Sequence, residues 1–573
     1  MEKRWVIKEV DEAQADALQK ELRIHPVLCR LLIQRGITTF DAAKKFFRPA
    51  LEDLHDPFIM RDMDRAVERI HVAMQRGERI LIYGDYDVDG TTAVALMYSF
   101  FRNFYDRIDY YVPDRYKEGY GISIAGIDHA HAIGCTLIIA LDCGIKANDK
   151  VAYASERQID FIICDHHLPG EHIPEAFAVL DPHRPDCAYP YKELSGCGIG
   201  FKLAQAFAQQ HGIPFEQVIA LLDLVVVSIA SDIVPITGEN RVLAHFGLKQ
   251  LNSAPRPGLR ALIEISGYKP PLNISNLVFG LGPRINAAGR MDDATKAVRM
   301  LIAQTTEHAE DGAGHLHEKN TDRKEVDKQI TAEALDMLRN DPENADRVTT
   351  VLCSSNWHKG VIGIVASRLM DHYYRPTILL TESNGTIFGS ARSVKNFDVY
   401  QAILACSQYL EQFGGHMYAA GLSMRPENYT AFREAFEQIV RERITPEQRI
   451  PEIEIDAELQ LRDITPSFLR IVDQFGPFGP ENMQPVFSSI GLKDSGGTRI
   501  VGDNHLKLHV KDRSFFTLNG IAFQKGDFYT SINDGNSFDL CYTIEENNFK
   551  DVTQLQLNVK EIKIQMQEHD IAI

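Results

Sequence analysis

The sequence RILIY at residues 79–83 runs directly into GDYDVDG at residues 84–90, and this junction decides the fold. A short apolar run that ends at glycine and aspartate is typical of a buried strand followed by a loop. Two further apolar runs, at 136–141 and 160–164, also end at an aspartate. Helical stretches separate the three runs, and this alternation predicts an α/β fold with a parallel sheet and crossover helices.

Acidic and histidine side chains follow these apolar runs. A fourth, mostly apolar stretch at 221–230 ends at Ser231 and Asp232, and we expect it to be a further strand that ends at the same edge of the sheet. In open parallel sheets the ligand crevice lies beyond the carboxyl ends of the strands, so residues placed there converge. The predicted catalytic residues are Asp85, Asp87, Asp89, Asp142, Asp165, His166, His167 and Asp232.

The acidic loop taken alone supports two interpretations. Asp85, Asp87 and Asp89 alternate over five residues, and carboxylates so close together repel one another unless a cation neutralises them. A solvated acidic turn or a helix N-cap fits the loop equally well, whereas a calcium hand is disfavoured because its closing glutamate is absent. The acids and histidines at the other run ends favour a metal site. Carboxylates with one imidazole suit Mn²⁺ or Mg²⁺, whereas a structural Zn²⁺ site would need thiolates and imidazoles.

The composition is that of an ordinary soluble globular protein. The 573 residues are 44% hydrophobic and 24% charged, which excludes a mainly disordered, collagen-like or coiled-coil chain. The net charge of −18 means that contact with nucleic acid would need a local basic groove. Nine cysteines without a Cys-x-x-Cys pair suggest neither a disulfide framework nor a zinc ribbon. No apolar stretch reaches the ~20 residues of a membrane span and no apolar leader follows the N-terminus, so we expect a cytoplasmic protein without membrane association.

Five segments follow one another along the chain. Residues 1–75 predict an N-terminal helical arm, and 76–315 predict the catalytic α/β domain. Charged residues with apolar side chains at helical spacing predict a long connecting helix at 316–345. Strand and helix patterns at 346–447 predict a second α/β domain. Alternation of period two within 448–573 predicts a small antiparallel barrel or sandwich.

The run-end motifs resemble the four motifs of the DHH phosphoesterase superfamily, and the chain resembles its RecJ family from about residue 20 to 565. Five further strings carry the resemblance, in the family's order: PDRYKEGYG at 113–121, GPRINAAGR at 282–290, GSARS at 389–393, GGH at 414–416 and FGPFGP at 475–480. The resemblance implies a DHH parallel-sheet domain joined by a long helix to a DHH-associated α/β domain. A C-terminal barrel resembling an oligonucleotide-binding (OB) fold is implied to follow.

The resemblance also implies two divalent ions, Mn²⁺ or Mg²⁺. Such a pair, about 3.5 to 4 Å apart, can lower the pKa of a water and stabilise the oxygens of an in-line attack on phosphorus. Asp165 is implied as a residue that orients the imidazole of His166, and His167 as a donor or acid near the substrate phosphate, although a structural role also fits both. The implied ligands are Asp85 and Asp87 on one side, Asp89, His166 and Asp232 on the other, and Asp142 between the ions.

Basic and small residues outside the acidic motifs form the predicted substrate site. Arg284, Asn286 and Arg290 lie between small residues that allow a phosphate backbone to approach, although a surface turn also fits. In RecJ-like proteins the string at 389–393 and Arg115 are expected to hold the terminal phosphate, which imposes entry by the 5′ end. His416 could donate to a phosphate or be an interface histidine. The predicted substrate-binding residues are Arg115, Arg284, Asn286, Arg290, Ser390, Arg392, Gly415 and His416.

The activity implied by the resemblance is that of an exonuclease specific for single-stranded DNA. It would degrade 5′ to 3′, release nucleoside 5′-monophosphates and act in DNA repair and recombination. Single-strand-binding protein and a RecQ-type helicase are implied as partners, and a monomer is expected.

Three alternatives stay open on the residues: a DHH-family phosphodiesterase for short oligonucleotides, an inorganic pyrophosphatase, and a DNA-binding scaffold that has lost catalysis. The barrel-like extra residues disfavour the first. Tyr83, where pyrophosphatases carry a histidine, disfavours the second, and the complete set of acids disfavours the third.

Overall fold

The computed structural model describes residues 3–549 and 552–565. An N-terminal segment precedes the first α/β unit, and its first three helices are not independent of the rest of the chain. Leu18, Leu28 and Leu32 pack in one core with the C-terminal barrel, whereas Met63 and Val67 of the fourth helix pack in the core of the first α/β unit. The elements of this segment are β1 (Arg4–Ile7), α1 (Glu12–Leu22), α2 (Pro26–Gln34), α3 (Phe40–Phe47) and α4 (Met63–Arg76).

The first α/β unit contains a sheet of five strands. Its sheet elements and their crossover helices are β2 (Arg79–Gly84), α5 (Val88–Arg102), β3 (Ile108–Tyr111), α6 (Ile124–Ala132), β4 (Cys135–Leu141), α7 (Asn148–Ser155), β5 (Asp160–Cys164) and β6 (Ala178–Leu180). The strands are all parallel and lie in the order β3-β2-β4-β5-β6. Residues 80–84 of β2 are all buried, as expected of a strand covered by helices on both faces. The predicted α/β fold with a parallel sheet is confirmed.

Helices complete the first unit after the sheet. They are α8 (Gly196–His211), α9 (Phe215–Ile219), α10 (Leu222–Ser231), α11 (Gly238–Ser253), α12 (Pro257–Ser266), α13 (Ile274–Asn276), α14 (Gly282–Met291) and α15 (Thr295–Leu301). A π-helical turn at Leu277–Leu281 leads into α14.

The expectation that Asp232 follows a strand is wrong. The apolar stretch before it is the helix α10, and Asp232 is the C-cap residue of that helix. Every residue from Leu222 to Ala230 is buried, so the helix shows no polar face. An apolar run of this length carries no periodicity that separates a buried helix from a buried strand.

A 35-residue helix, α16 (Thr306–Asn340), connects the two α/β units. It begins at Thr306 rather than at residue 316, because Ala309, Ala313 and Leu316 lie on one face and pack into the core of the first unit. The second unit has a sheet in the order β10-β11-β9-β8-β7, with β7 and β8 parallel and the other pairs antiparallel. Its elements are β7 (Thr350–Cys353), α17 (Ile362–His372), β8 (Thr377–Ser383), β9 (Thr386–Arg392), α18 (Val399–Leu404), β10 (Gln412–His416), β11 (Ala419–Met424) and α19 (Tyr429–Arg443).

The C-terminal unit is a seven-stranded sheet, five strands of which close into a barrel. It is formed by β13 (Ala457–Glu458), β14 (Phe487–Asp494), β15 (Arg499–Val501), β16 (His505–Lys511), β17 (Thr517–Ala522), β18 (Ser537–Phe549) and β19 (Val552–Gln565). The predicted period-two pattern is confirmed in β16, where buried and half-buried residues alternate. The barrel is not wholly antiparallel, since β17 pairs with β19 in parallel. Three further elements accompany it: β12 (Glu452–Ile455), which pairs with β1, α20 (Pro466–Asp473) and α21 (Tyr529–Asn533). Among the described residues, no helix is both long and apolar enough to cross a bilayer.

Candidate active site

The turn between β2 and α5 holds three acids in one buried loop. Asp85 follows β2 and is fully buried, Asp87 is the N-cap of α5, and Asp89 lies in the first helical turn. Asp87 accepts a hydrogen bond from the backbone N–H of Gly90 at 3.0 Å. A Cβ on Gly90 would lie 2.4 Å from the carbonyl oxygen of Asp85, so only glycine allows the loop to close this tightly. The helix N-cap and the acidic cluster are therefore the same structure, not alternatives.

His166 is the point at which the other motifs meet. Its Nε2 lies 3.2 Å from Asp142, 3.6 Å from Asp232 and 3.8 Å from Asp89. Asp142 follows β4 in the left-handed conformation, with φ 58°, which aspartate tolerates better than most residues. The structure thus brings side chains from four separate segments of the first unit close enough together to bind one ion.

The cluster has the electrostatic properties of a cation site. Burial, followed by repulsion from neighbouring carboxylates, raises the pKa of Asp85, Asp142 and Asp232 well above the usual range. Burial also lowers the pKa of His166, which favours the neutral form of this imidazole. Within the described part of the chain, Asp85 Oδ2 and His166 Nε2 are buried without a hydrogen-bond partner. A cluster of buried carboxylates with an unpaired oxygen and one neutral imidazole nitrogen fits divalent ions such as Mn²⁺ or Mg²⁺.

Two sets of atoms are compact enough to hold ions. Asp89, His166 and Asp232 offer ligand atoms within 4.8 Å of one another, and so do Asp142, His166 and His167. Asp89 is oriented by the N-terminal turn of α8, since its carboxylate accepts hydrogen bonds from Gly196 N at 2.7 Å and Cys197 N at 2.8 Å. The assignment of individual ligands to each ion remains a prediction.

Asp165 orients a different histidine from the one expected. Asp165 Oδ1 accepts a hydrogen bond from the backbone N–H of His166 at 2.8 Å, but it does not contact the His166 ring through a hydrogen bond. The ring that it holds is that of His167, whose Nδ1 lies 2.7 Å from the same oxygen. Burial opposes protonation of His167, but the hydrogen bond and charge of Asp165 outweigh it and raise the pKa of His167. The other ring nitrogen of His167 lies 3.0 Å from the hydroxyl of Tyr120. His167 is therefore fixed and favoured in its protonated form beside the acidic cluster.

A basic cavity of ≈ 520 Å³ adjoins the cluster between the two α/β units. Four predicted substrate-binding residues line it: Arg115, Arg290, Ser390 and Arg392. Burial, with repulsion from Arg115 and Arg392, lowers the pKa of Arg290 to about 10, as expected where guanidinium groups converge. Tyr120 also lines the cavity, which links it directly to His167.

The other four predicted substrate residues do not line this cavity, although Gly415 and His416 directly follow Gly414, which does. Among the described residues, the cavity lining does not include Arg284, Asn286, Gly415 or His416. Arg284 is buried and donates to Gly280 O at 2.6 Å and to His317. His416 is exposed on β10.

Aromatic residues of the cavity escaped the sequence analysis. Tyr86, which separates two of the acids, stacks under Arg115, with 4.9 Å between the guanidinium carbon and the ring centroid. Phe388 lies 3.4 Å from the Lys359 ammonium, measured to its ring centroid. The position of Tyr86 between two acids of the loop was the only sequence feature that could have identified it as a site residue. No sequence pattern pointed to Phe388.

A parallel sheet with acids at its carboxyl edge, facing a second α/β unit across a basic cavity, defines a metal-dependent phosphoesterase. Three family models match the chain: the DHH family N-terminal domain at 79–229, the DHHA1 domain at 344–442 and the RecJ OB domain at 455–561. The single-stranded-DNA-specific exonuclease RecJ of Bacillus subtilis strain 168 is 34% identical, over 98% of this chain and 71% of its own. That of Escherichia coli K12 is 32% identical, over 97% of this chain and 98% of its own. The chain belongs to the RecJ family.

Solved structures agree with this assignment. RecJ from Thermus thermophilus in complex with Mn²⁺ matches with a TM-score of 0.84 and 25% identity, covering 98% of this chain and 80% of that chain. A structure of exonuclease RecJ bound to manganese matches with a TM-score of 0.60 and 30% identity, covering 70% of this chain and 98% of that chain.

Proposed function

We propose that the protein is an exonuclease that degrades single-stranded DNA from the 5′ end and releases nucleoside 5′-monophosphates. The single observation that carries the proposal is the position of the basic cavity, which adjoins the acidic cluster through Tyr86 and Tyr120. A terminal phosphate held in this cavity would place the next phosphate of the strand at the acids. The named relatives are single-stranded-DNA-specific exonucleases, which supports the same substrate.

The side chains of the cavity would bind and orient the terminal phosphate. Arg115, Arg290 and Arg392 offer guanidinium donors, and Ser390 offers a hydroxyl. His167, held by Asp165, would donate a proton or hydrogen bond to a phosphate oxygen. Binding of a 5′-terminal phosphate, rather than of a base, explains how the site would impose polarity without reading sequence.

The predicted ligands Asp85, Asp87, Asp89, Asp142, His166 and Asp232 would hold the metal ions. The related Thermus thermophilus enzyme has been solved with Mn²⁺ and with Mg²⁺. Such ions supply positive charge to phosphate oxygens and acidify the attacking water.

Three further parts of the proposal come from the family resemblance and the substrate. Work on single strands points to DNA repair and recombination, with single-strand-binding protein and a RecQ-type helicase as partners. We also propose a monomer that acts in the cytoplasm. All nine cysteines are free, which fits a reducing compartment.

The test is digestion of a long 5′-phosphorylated single strand, labelled at either end, beside the duplex of the same sequence. We expect early release of mononucleotide from the 5′ label, with Mn²⁺ but not with EDTA, and on the single strand only. The Asp142→Ala variant is the control for a contaminating nuclease. A strand left intact in the presence of metal would overturn the proposal.

The alternative substrates are tested in the same experiment. Release of phosphate from pyrophosphate, or cleavage confined to di- and trinucleotides, would identify one of the other DHH activities. Binding without cleavage of any of these substrates would identify a scaffold.

A further inference from the structure

Ile233 combines backbone strain with solvent exposure beside the acidic cluster. It directly follows Asp232 and adopts the left-handed conformation, with φ 60°. This region is unfavourable for a β-branched residue, which crowds its own backbone there. The residue is nevertheless 63% exposed, so packing does not explain why an isoleucine occupies the position. Strain of this kind at a functional site is a reason to look for a role of the side chain.

The segment around Ile233 connects the acidic cluster to the base of the C-terminal barrel. At one end, Asp232 Oδ2 lies 3.6 Å from His166 Nε2. At the other end, Ile236 N donates to Pro480 O at 2.9 Å, and a Cβ on Gly479 would lie 2.5 Å from Ile236. Along the chain, Ile233 therefore lies between the acidic cluster and the contact with the loop that precedes β14.

Ile233 does not line the basic cavity, which includes Ser390 and Arg392 of the second α/β unit. A strand with its 5′-phosphate in the cavity and its next phosphate at the acids would leave the cavity beside Asp232 and the residue that follows it. The first base on that route belongs to the second nucleotide.

A second exposed apolar residue lies in the turn that contacts the end of α10. Phe279, 72% exposed, lies in the π-helical turn about one turn before Gly282. A Cβ on Gly282 would lie 2.6 Å from Ser231 Oγ, so the turn touches the end of α10 beside Asp232.

We propose that the side chain of Ile233 packs against the nucleobase of the second nucleotide, immediately 3′ of the scissile phosphate. The inference rests on the proposed exonuclease function and adds a contact with the base. An apolar contact with a base face is independent of sequence, because every base presents such a face. The side chain would hold that nucleotide in place while the bond before it is cleaved.

The experiment compares two 5′-phosphorylated oligonucleotides, one intact and one with an abasic site at the second nucleotide. For wild type we expect kcat/KM to fall about fivefold on the abasic strand, in line with the loss of one apolar contact. Ile233→Gly removes the side chain, and its kcat/KM on the intact strand should be lower than that of wild type by about the same factor. On the abasic strand, kcat/KM of the variant should equal that of wild type, because the substitution and the missing base remove the same contact.

Three controls separate this role from a structural one. Ile233→Leu keeps an apolar side chain and should retain most of the wild-type rate. Ile7→Ala truncates an isoleucine of similar exposure (53%), far along the chain on β1, and should change neither rate. The denaturation midpoint of Ile233→Gly should equal or exceed that of wild type, because glycine relieves the strain at this φ.

The outcomes are distinguishable. If wild type digests both strands at the same rate and Ile233→Gly matches it, the inference on Ile233 fails and the exonuclease proposal stands. Additive losses, or a lowered denaturation midpoint for Ile233→Gly, would also overturn it in favour of a structural role. If wild type digests neither strand, the proposed function itself fails.

Discussion

The guanidinium carbon of Arg241 lies 3.8 Å from the ring centroid of Phe46. The same side chain donates to the backbone carbonyls of Phe475 at 2.7 Å and Gly476 at 2.9 Å, and to that of Phe46. Among the described residues, no carboxylate pairs with it. Arg241 on α11 thus joins the N-terminal segment, the first α/β unit and the FGPFGP string before the barrel.

Replacing Arg241 should loosen the barrel. Arg241→Met keeps the apolar stem but removes the guanidinium donor from the carbonyls of Phe46 and Gly476 and one of two donors from that of Phe475, so we expect the free energy of unfolding to fall by about 2 to 3 kcal/mol. Urea denaturation measures the loss, and limited proteolysis should detect faster cleavage near 475–480. Arg260→Met, at an exposed position of α12, is the matched control. Equal stability of the two variants would show that Arg241 does not hold the barrel in place.

Asp142→Asn should separate stability from metal binding. Burial and the neighbouring carboxylates raise the pKa of Asp142, so its charged form is unfavourable without a cation. In EDTA at pH 8 we expect the variant to be more stable than wild type by about 1 to 2 kcal/mol. The stabilisation of wild type by Mn²⁺ should be much weaker in the variant. Thermal denaturation with and without the ion tests both statements, and a variant less stable than wild type in EDTA would contradict them.

The pair Asp165 and His167 should determine the alkaline limit of activity. Burial lowers the pKa of His167, but the bond to Asp165 raises it above the usual range, so protonated His167 is present at low pH and lost as the pH rises. If His167 acts as a donor, kcat falls as the pH rises through that pKa. Asp165→Asn removes the raising interaction, so the fall should begin at a lower pH. An unchanged profile in the variant would exclude His167 as the titrating group.

Gly360 keeps the two α/β units in contact at the cavity. Arg290 Nη1 donates to Gly360 O at 3.0 Å, and Tyr116 donates to the backbone oxygen of Arg290. A Cβ on Gly360 would lie 2.5 Å from the Tyr116 hydroxyl and 2.7 Å from Arg290 O. Gly360→Ala should therefore displace Arg290 and raise KM for a 5′-phosphorylated strand about tenfold, a change of about 1.4 kcal/mol.

The matched control for this change is Gly314→Ala. Gly314 lies within α16, where an added Cβ would meet nothing within 4 Å, and alanine is the better helix former. This control should keep the wild-type KM and unfold at the same or a higher temperature. A wild-type KM in Gly360→Ala would show that the contact between the units does not position Arg290.

Local pattern was sufficient for the elements that carry most of the site. The runs at 79–83, 136–141 and 160–164 are apolar because their strands are buried on both faces, and each ends where polar residues begin. Parallel strands then bring their carboxyl ends to one edge, so the meeting of Asp85, Asp142 and His166 followed from strand order and needed no knowledge of packing. The alternation of apolar and polar residues in the barrel strands could also be recognised from the sequence, because one face of each strand is buried.

By itself, the sequence determined the class of fold, the acidic cluster and the family. The tertiary structure alone decided which side chains meet across distant segments. It placed Asp232 at a helix end, turned Asp165 toward His167, buried Arg284 away from the cavity and left Ile233 strained and exposed. The physical reason is that periodicity reports only whether a residue faces the core or the solvent. The partner of a buried polar group depends on how remote elements pack, and no local pattern records that.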